Sequence, residues 1–282
     1  MSDLQIKYCF LNLAANPHPS GIYPRLFEIS AKKQINFRGD NYATITPPTK
    51  DEKSNFYHGA LICWTEIDAS EPGIDKTTFE EKTIDELKAI IPKNVGFNSK
   101  IFLYILDENT HTIVVEVKNE HNKTISARQV GKIFSDLFSG DIIESMGINV
   151  EVTVIPAEGT LDKILSMAHL QRLKIHLVRP NPDDIFEPAG EVLRAMEKEG
   201  VGSLDATLVA SSRADGLDVG ERTKSIALTA EKNGYVEGAG KQSDGSVLLV
   251  STKDHPKIVS TIIPEGQHFL QEALSAMRSF TK

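Results

Sequence analysis

The stretch Arg172-Leu173-Lys174-Ile175-His176-Leu177-Val178-Arg179 alternates basic and apolar residues before Pro180-Asn181-Pro182 interrupts it. Side chains of a strand point to opposite faces in turn, so Leu173, Ile175 and Leu177 would face a core while Arg172, Lys174 and His176 face outward about 6.5 Å apart. Basic groups at that spacing can follow a phosphate backbone, with Arg179 and Arg128 as further candidates. Cations on an outer strand face also discourage edge-to-edge pairing of sheets, and that plainer role explains the same pattern.

Three other patterns suggest chemistry and weaken on inspection. Asp107 followed by Glu116-Val117-Lys118 has the residue types of a metal-dependent nuclease. If residues 107 and 111 flank a turn, Glu116 lies opposite about Phe102, which leaves Asp107 five residues further on, roughly 15 Å at strand rise. Carboxylate ligands must approach a metal to about 2–2.6 Å, so an ordinary hairpin is favoured. Tyr235-Val236-Glu237-Gly238-Ala239-Gly240-Lys241-Gln242-Ser243 looks like a phosphate loop, but its first glycine is missing and Gln242 stands where a magnesium-binding hydroxyl belongs. A glycine-containing edge strand fits it better. The 8 histidines include no His-Glu-x-x-His and share no spacing with Cys9 and Cys63. No metal or cofactor is therefore expected. Asp183 and Asp184 are explained as the start of a helix.

These residues must be positioned by strands and helices that the pattern also predicts. Strands are expected over Lys7–Leu13, Asn41–Thr46, Phe56–Ile67 and Ile148–Val154, with a hairpin joining Ile101–Leu106 to Thr112–Lys118. Ser126 should cap a helix whose Val130, Ile133, Phe134, Leu137 and Phe138 form one buried stripe, and Thr160 a short helix through Ala168. The acidic segment from Asp68 to Asn98, with one weak helix from Thr83 to Ile91, belongs on the surface. Beyond Pro182, a helix closing at Gly200, the strand Leu204–Ala210 and a helix from Val219 to Asn233 are expected. A three-stranded meander over Tyr235–Lys241, Ser246–Ser251 and Ile258–Ile263 should then precede a C-terminal amphipathic helix. The expected class is α+β, with mixed or antiparallel sheets and packed helices in two lobes. Residues 1–180 are assigned to an N-terminal domain and 181–282 to a C-terminal one.

Composition limits the partners. A net charge of -8 and a pI near 5.5 exclude a global field for nucleic acid or anionic membrane. Residues before 158 hold 16 basic against 21 acidic groups and the remainder 15 against 18, so only spatial segregation could create a basic surface. Two cysteines in apolar runs exclude a disulfide framework and are expected to be buried thiols. No stretch approaches the roughly 20 apolar residues of a membrane span, and Met1-Ser2-Asp3 lacks a basic leader, so the cytoplasm is the expected location.

The opening Lys7-Tyr8-Cys9-Phe10-Leu11-Asn12 with Pro17-His18-Pro19-Ser20-Gly21-Ile22-Tyr23, the hairpin end Val115-Glu116-Val117-Lys118-Asn119-Glu120, and Leu173 through Pro182 together resemble an uncharacterised bacterial and prophage family of unknown function. The likeness covers most of the chain and brings no established catalytic residues. From about residue 100 the length and order of elements are also similar to RexA, the phage lambda exclusion protein. That resemblance implies a homodimer that binds DNA without sequence preference and acts in phage exclusion beside a membrane partner; the acidic balance of this chain departs from it. The expected function is antiviral defence or phage exclusion by a non-enzymatic homodimer. It would bind or sense DNA or RNA through Arg172, Lys174, His176, Arg179 and Arg128, with a neighbouring gene product as candidate partner. The alternatives are a metal-dependent nuclease toxin centred on Glu116 and Lys118, and a protein-binding regulatory module.

Overall fold

The computed structural model describes residues 4–31, 33–68, 70–92, 94–182, 189–212, 214–242, 244–263 and 269–280. In chain order the elements are β1 (Leu4–Asn16), α1 (Ile22–Ser30), β2 (Ile35–Arg38), β3 (Asn41–Ile45), β4 (Thr49–Lys50), β5 (Phe56–Thr65), β6 (Gly73–Ile74), β7 (Glu81–Lys82), α2 (Ile84–Ile90), β8 (Phe97–Asp107) and β9 (Thr112–Lys118). They continue as α3 (Ala127–Leu137), α4 (Asp141–Ser145), β10 (Asn149–Val154), α5 (Thr160–Leu165), β11 (His169–Val178), α6 (Ala189–Glu199), β12 (Ser203–Val209), α7 (Glu221–Lys232), β13 (Gly234–Lys241), β14 (Val247–Ser251), β15 (Ile258–Ile263) and α8 (Phe269–Phe280). The class is α+β, as its alternation predicts.

The larger sheet runs β10-β1-β9-β8-β5-β3-β2, with β15 also on β1 and β4 on β5. β1 is its spine. One edge pairs Lys7–Asn12 with β9, while the other pairs Leu4–Cys9 with β15 and Leu11–Asn16 with β10, end to end. Because alternate side chains point opposite ways, Cys9, Leu11 and Leu13 join α1 and α3 in one core, and Ile6, Tyr8 and Phe10 join α8 in another. On the first face Phe27 packs against Tyr104 and Phe138, each with ring centroids 5.0 Å away. Gly131 lets α3 lie close on β10: a Cβ there would come within 2.6 Å of Val154. Both cysteines are free and buried, as expected.

The second sheet has the order β12-β11-β13-β14. Leu173, Ile175 and Leu177 of β11 face inward onto Val236, Val250, α5 and α7, with Met196 of α6 reaching the same core. The hairpin β8–β9, the Ser126 cap of α3 and the helix α2 lie where the sequence predicts; both helices begin with a capping box, at Ser126 and Thr83, and α2 buries none of its side chains. Two expectations differ. Residues 258–263 do not complete a meander; β15 leaves β14 and pairs with β1, the first strand of the chain. The cap of α5 is Gly159 in a left-handed conformation, and Thr160 donates its hydroxyl to Ala157 O instead. In sheet membership, β11 belongs to the second sheet and β15 returns to the first. The helix start expected at Asp183 or Asp184 lies outside the described residues.

The sheets are joined at the end of β1. On the edge that β9 pairs, the Leu13 N–H still donates to His111 O at 2.8 Å, and beyond it Asn181, just after β11, takes the place of a strand. Its Nδ2 donates to Leu13 O at 2.8 Å and its Oδ1 accepts the Ala15 N–H at 3.0 Å, so a side-chain amide acts as a short piece of strand. The Tyr23 hydroxyl shares its proton between Asn181 Oδ1 and Leu13 O. Asn12 Nδ2 adds bonds to Asn233 Oδ1 at 3.0 Å and Lys232 O at 3.1 Å. Removing a buried group leaves its partners unsatisfied, so Asn181→Ala should lower the unfolding free energy by about 2–4 kcal/mol. Urea unfolding tests this; a midpoint unchanged from wild type would show that Asn181 does not join the sheets.

Candidate nucleic-acid interface

Among the described residues, α5, α6 and α7 pack on one side of the second sheet, and no helix covers the other face of β11 and its neighbours. Cross-strand register places Arg172 beside Val209 and Ala239, Lys174 beside Thr207 and Glu237, and His176 beside Asp205 and Tyr235. Beyond Ala239 comes Leu249, and beyond Lys241 comes Val247. Val209, Leu249 and Val247 are 61%, 75% and 80% exposed, an apolar fringe that no element covers among the described residues.

Within this face the cations divide into two groups. His176 Nδ1 lies 2.8 Å from Asp205 Oδ1 and its ring stacks on Tyr235 with centroids 5.1 Å apart. Lys253, from the short turn of 3-10 helix after β14, places Nζ 3.3 Å from the Tyr235 ring centroid, and Lys174 approaches the same ring at 5.3 Å. The Tyr235 hydroxyl, and beyond it Glu237 and Asp205, hold the Lys174 proton more firmly than usual. Glu151 of β10 stands at the margin; burial raises its carboxyl, while His176 and Lys253 pull it back. Arg172 and Lys241 are exposed and have no ion pair among the described residues. The face thus sets Arg172, Lys174, Lys241 and Lys253 against the carboxylates of Asp205 and Glu237 and, at its margin, Glu151.

The remaining sequence candidates do not join it. Arg179 turns to the helix-covered side, where its Nη2 meets Glu197 Oε1 of α6 at 2.7 Å. Arg128 opens α3 and comes within 3.9 Å of Asp254, in the turn that also carries Lys253. Lys241 and Lys253, which the pattern did not single out, enter through strand register and through the turn after β14. The glycines of the apparent phosphate loop have a packing role: Gly238 and Gly240 face inward, where a Cβ would come within 2.4 Å of Ile164 Cγ2 and of His169 O respectively.

The hairpin residues are held by structural bonds. Asp107 accepts the Asn109 N–H and the Thr110 hydroxyl in its own turn. Tyr104 pairs with Val115, so Glu116 falls opposite Leu103 and about 13 Å along the strand from Asp107. Its Oε2 accepts the Leu103 N–H at 2.8 Å. No three His, Cys, Asp or Glu side chains form a metal-binding group among the described residues.

The family described as a domain of unknown function, DUF4747, matches residues 4–278. The chain belongs to the DUF4747 family. No curated protein matches it. Across the matched span of this DUF4747 chain, Pro17–Tyr23, the turn of the β8–β9 hairpin and the residues after β11 meet at one place. There His18, Tyr23 and His111 are in mutual ring contact at 4.9–5.3 Å, and Asn181 bonds Tyr23.

Glu116 is the most perturbed carboxyl described. It is buried under the α8 side of the larger sheet, opposite Tyr8 on β1, and neither Glu116 Oε1 nor the Tyr8 hydroxyl has a hydrogen-bond partner among the described residues. Burial pushes the Glu116 carboxyl up to about 7, against the Leu103 N–H, with Glu120 adding to the rise. A carboxyl raised on folding contributes stability that is complete below its unfolded value, near 4.5, and is lost as pH climbs through about 7. Glu116→Gln should therefore gain stability relative to wild type between those limits and level off above them, by at most about 3 kcal/mol. Unfolding midpoints measured from pH 4 to pH 9 test this; parallel curves for the two proteins would contradict it.

Proposed function

We propose that this chain is a non-catalytic protein that binds nucleic acid without sequence preference through the open face of the second sheet. The observation behind this reading is the exposed strand face on which Arg172 and Lys241 have no ion pair among the described residues, with Lys174 and Lys253 beside them over Tyr235. On a chain of net charge -8, such segregation provides the local field that the total charge does not. Tyr235 is covered by His176 on stacking and by Lys253 above its ring, so base stacking on it is not part of the proposal. Contacts would be cation to phosphate, with Val209, Leu249 and Val247 against sugars and bases of a single strand. The order of elements similar to RexA supports a role in phage exclusion or antiviral defence, in which indifference to sequence suits a sensor of foreign nucleic acid.

Each phosphate neutralised on a single strand adds about 0.7 to the slope of log affinity against log salt. Arg172→Ala with Lys241→Ala should weaken binding of a labelled single-stranded oligonucleotide and reduce that slope by about 1.4. Fluorescence anisotropy across a salt series measures both. No binding by wild type at low ionic strength, or an unaltered slope in the double variant, would sink the proposal.

A further inference from the structure

A second basic concavity lies in the other lobe, on the far end of the larger sheet. There β2, β3, β5 and β8 end beside the N-terminus of α3 and enclose a cavity of about 430 Å³. Two of these strands change register at its rim, β2 between Asn36 and Arg38, and β5 between Cys63 and Thr65 where it pairs with β8. Bulges of this kind re-aim side chains that regular alternation would direct elsewhere. The result brings Arg38, Lys100 and Lys123 to one lining, together with Trp64, Asn98 and Gln129.

The electrostatics of this lining are one-sided. It contains no carboxylate, and none of Arg38, Lys100 and Lys123 forms an ion pair among the described residues. Glu66, two residues from Trp64, accepts the indole Nε1–H at 3.2 Å and lies outside the lining. Cys63 sits opposite Lys100 across the strands, and burial pushes its thiol up to about 12, so no thiolate neutralises that lysine. The first turn of α3 likewise has no acidic residue. Several other cations do have a carboxylate partner, as with Arg179–Glu197, Lys257–Glu158 and Lys224–Glu221. Three unpaired cations converging on one concavity therefore lack an internal counter-charge and leave room for an external one.

The rest of the wall selects among anions. Trp64 is set by Gly96, where a Cβ would come within 2.1 Å of the indole Cδ1, and it stacks with Tyr42 at 6.2 Å. A fixed aromatic wall loses little freedom on binding a ring. The Asn98 amide offers a donor and an acceptor, as a base edge requires, while Gln129, whose Oε1 accepts the Ser126 N–H in the capping box, adds its Nε2–H donors. The volume falls within the range of small-molecule sites and is far larger than a phosphate alone needs.

We propose that this cavity binds a mononucleotide, its phosphate held by Arg38, Lys100 and Lys123 and its base packed along Trp64. This is a small-ligand site in a different lobe from the open strand face, and it stands whether or not that face binds nucleic acid. The chain has 1 tryptophan, Trp64, which lines this cavity, so intrinsic fluorescence responds to an occupant there, and the lysine variants assign the response to this side of the indole. Titration of the intact protein with adenosine and uridine monophosphates should change that emission saturably, with matching heats by calorimetry. Lys100→Ala and Lys123→Ala, at partly or fully exposed positions, should each weaken binding about tenfold, while Arg172→Ala leaves it unchanged. Unphosphorylated nucleosides should not bind measurably, and inorganic phosphate should compete more weakly than either nucleotide. Absence of saturable binding at millimolar nucleotide, or unchanged affinity in both lysine variants, overturns the proposal. So does inorganic phosphate matching the nucleotides, since the ring would then contribute nothing. A terminal 5′-phosphate on an oligonucleotide that competes as well as the free nucleotide assigns the same site to strand ends, whereas failure to compete assigns it to free nucleotide.

Discussion

Every part of the fold depends on β1 having both edges paired and both faces buried. A strand in that position must satisfy all its peptide groups within the protein, because no water reaches them. β9 supplies one edge as far as Asn12, and β15 and β10 share the other. Where β9 ends, Leu13 accepts the Asn181 amide and Ala15 donates to it, so the last unmet backbone groups of the first sheet are met by a residue from the second. The requirement for complete pairing thus fixes how the two sheets meet. It also brings the C-terminal strand back to the first sheet and sets α8 over Tyr8 and Phe10.

The same arrangement determines which surfaces remain available. α5, α6 and α7 fill the inner face of the second sheet, leaving the alternate residues of β11, β12, β13 and β14 uncovered. On that surface Lys174 and His176 are tied into a network with Tyr235, Asp205 and Glu237, which orders the centre, while Arg172 and Lys241 stay free toward the end where the apolar fringe lies. A surface so divided has an ordered middle and an unneutralised flank. Across the molecule, positive charge is segregated here and around Arg38, Lys100 and Lys123, although neither half of the chain is basic in total.

What could be read from the sequence follows the range of the interactions involved. Alternation over Arg172–Val178 identified which side of β11 is buried, because Leu173, Ile175 and Leu177 are local evidence of a face. The Ser126 box and the β8–β9 hairpin were equally legible, being made by neighbours in sequence. The partner of β15 was not: Ile258–Ile263 pairs as well on paper with the adjacent hairpin as with β1, and only the unmet edge of β1 decides between them. Asn181 reads as a turn residue between prolines, with nothing local to show that its amide completes a distant strand. Among the proposed phosphate contacts, Lys174 was visible by spacing, but Lys241 depends on the register of β13 against β11. The cluster of Arg38, Lys100 and Lys123 is assembled from three separate segments, and the two register shifts at its rim have no signature in residue type.

The account rests on the second sheet offering its open face to nucleic acid, and backbone hydrogen exchange with and without a saturating single-stranded oligonucleotide tests this most directly. Added protection is expected on Arg172–His176, Tyr235–Lys241 and Val247–Leu249, with α6 and α7 unchanged behind them. Protection confined to the helix-covered side, or none on β11 and β13 while the oligonucleotide is bound, would contradict it.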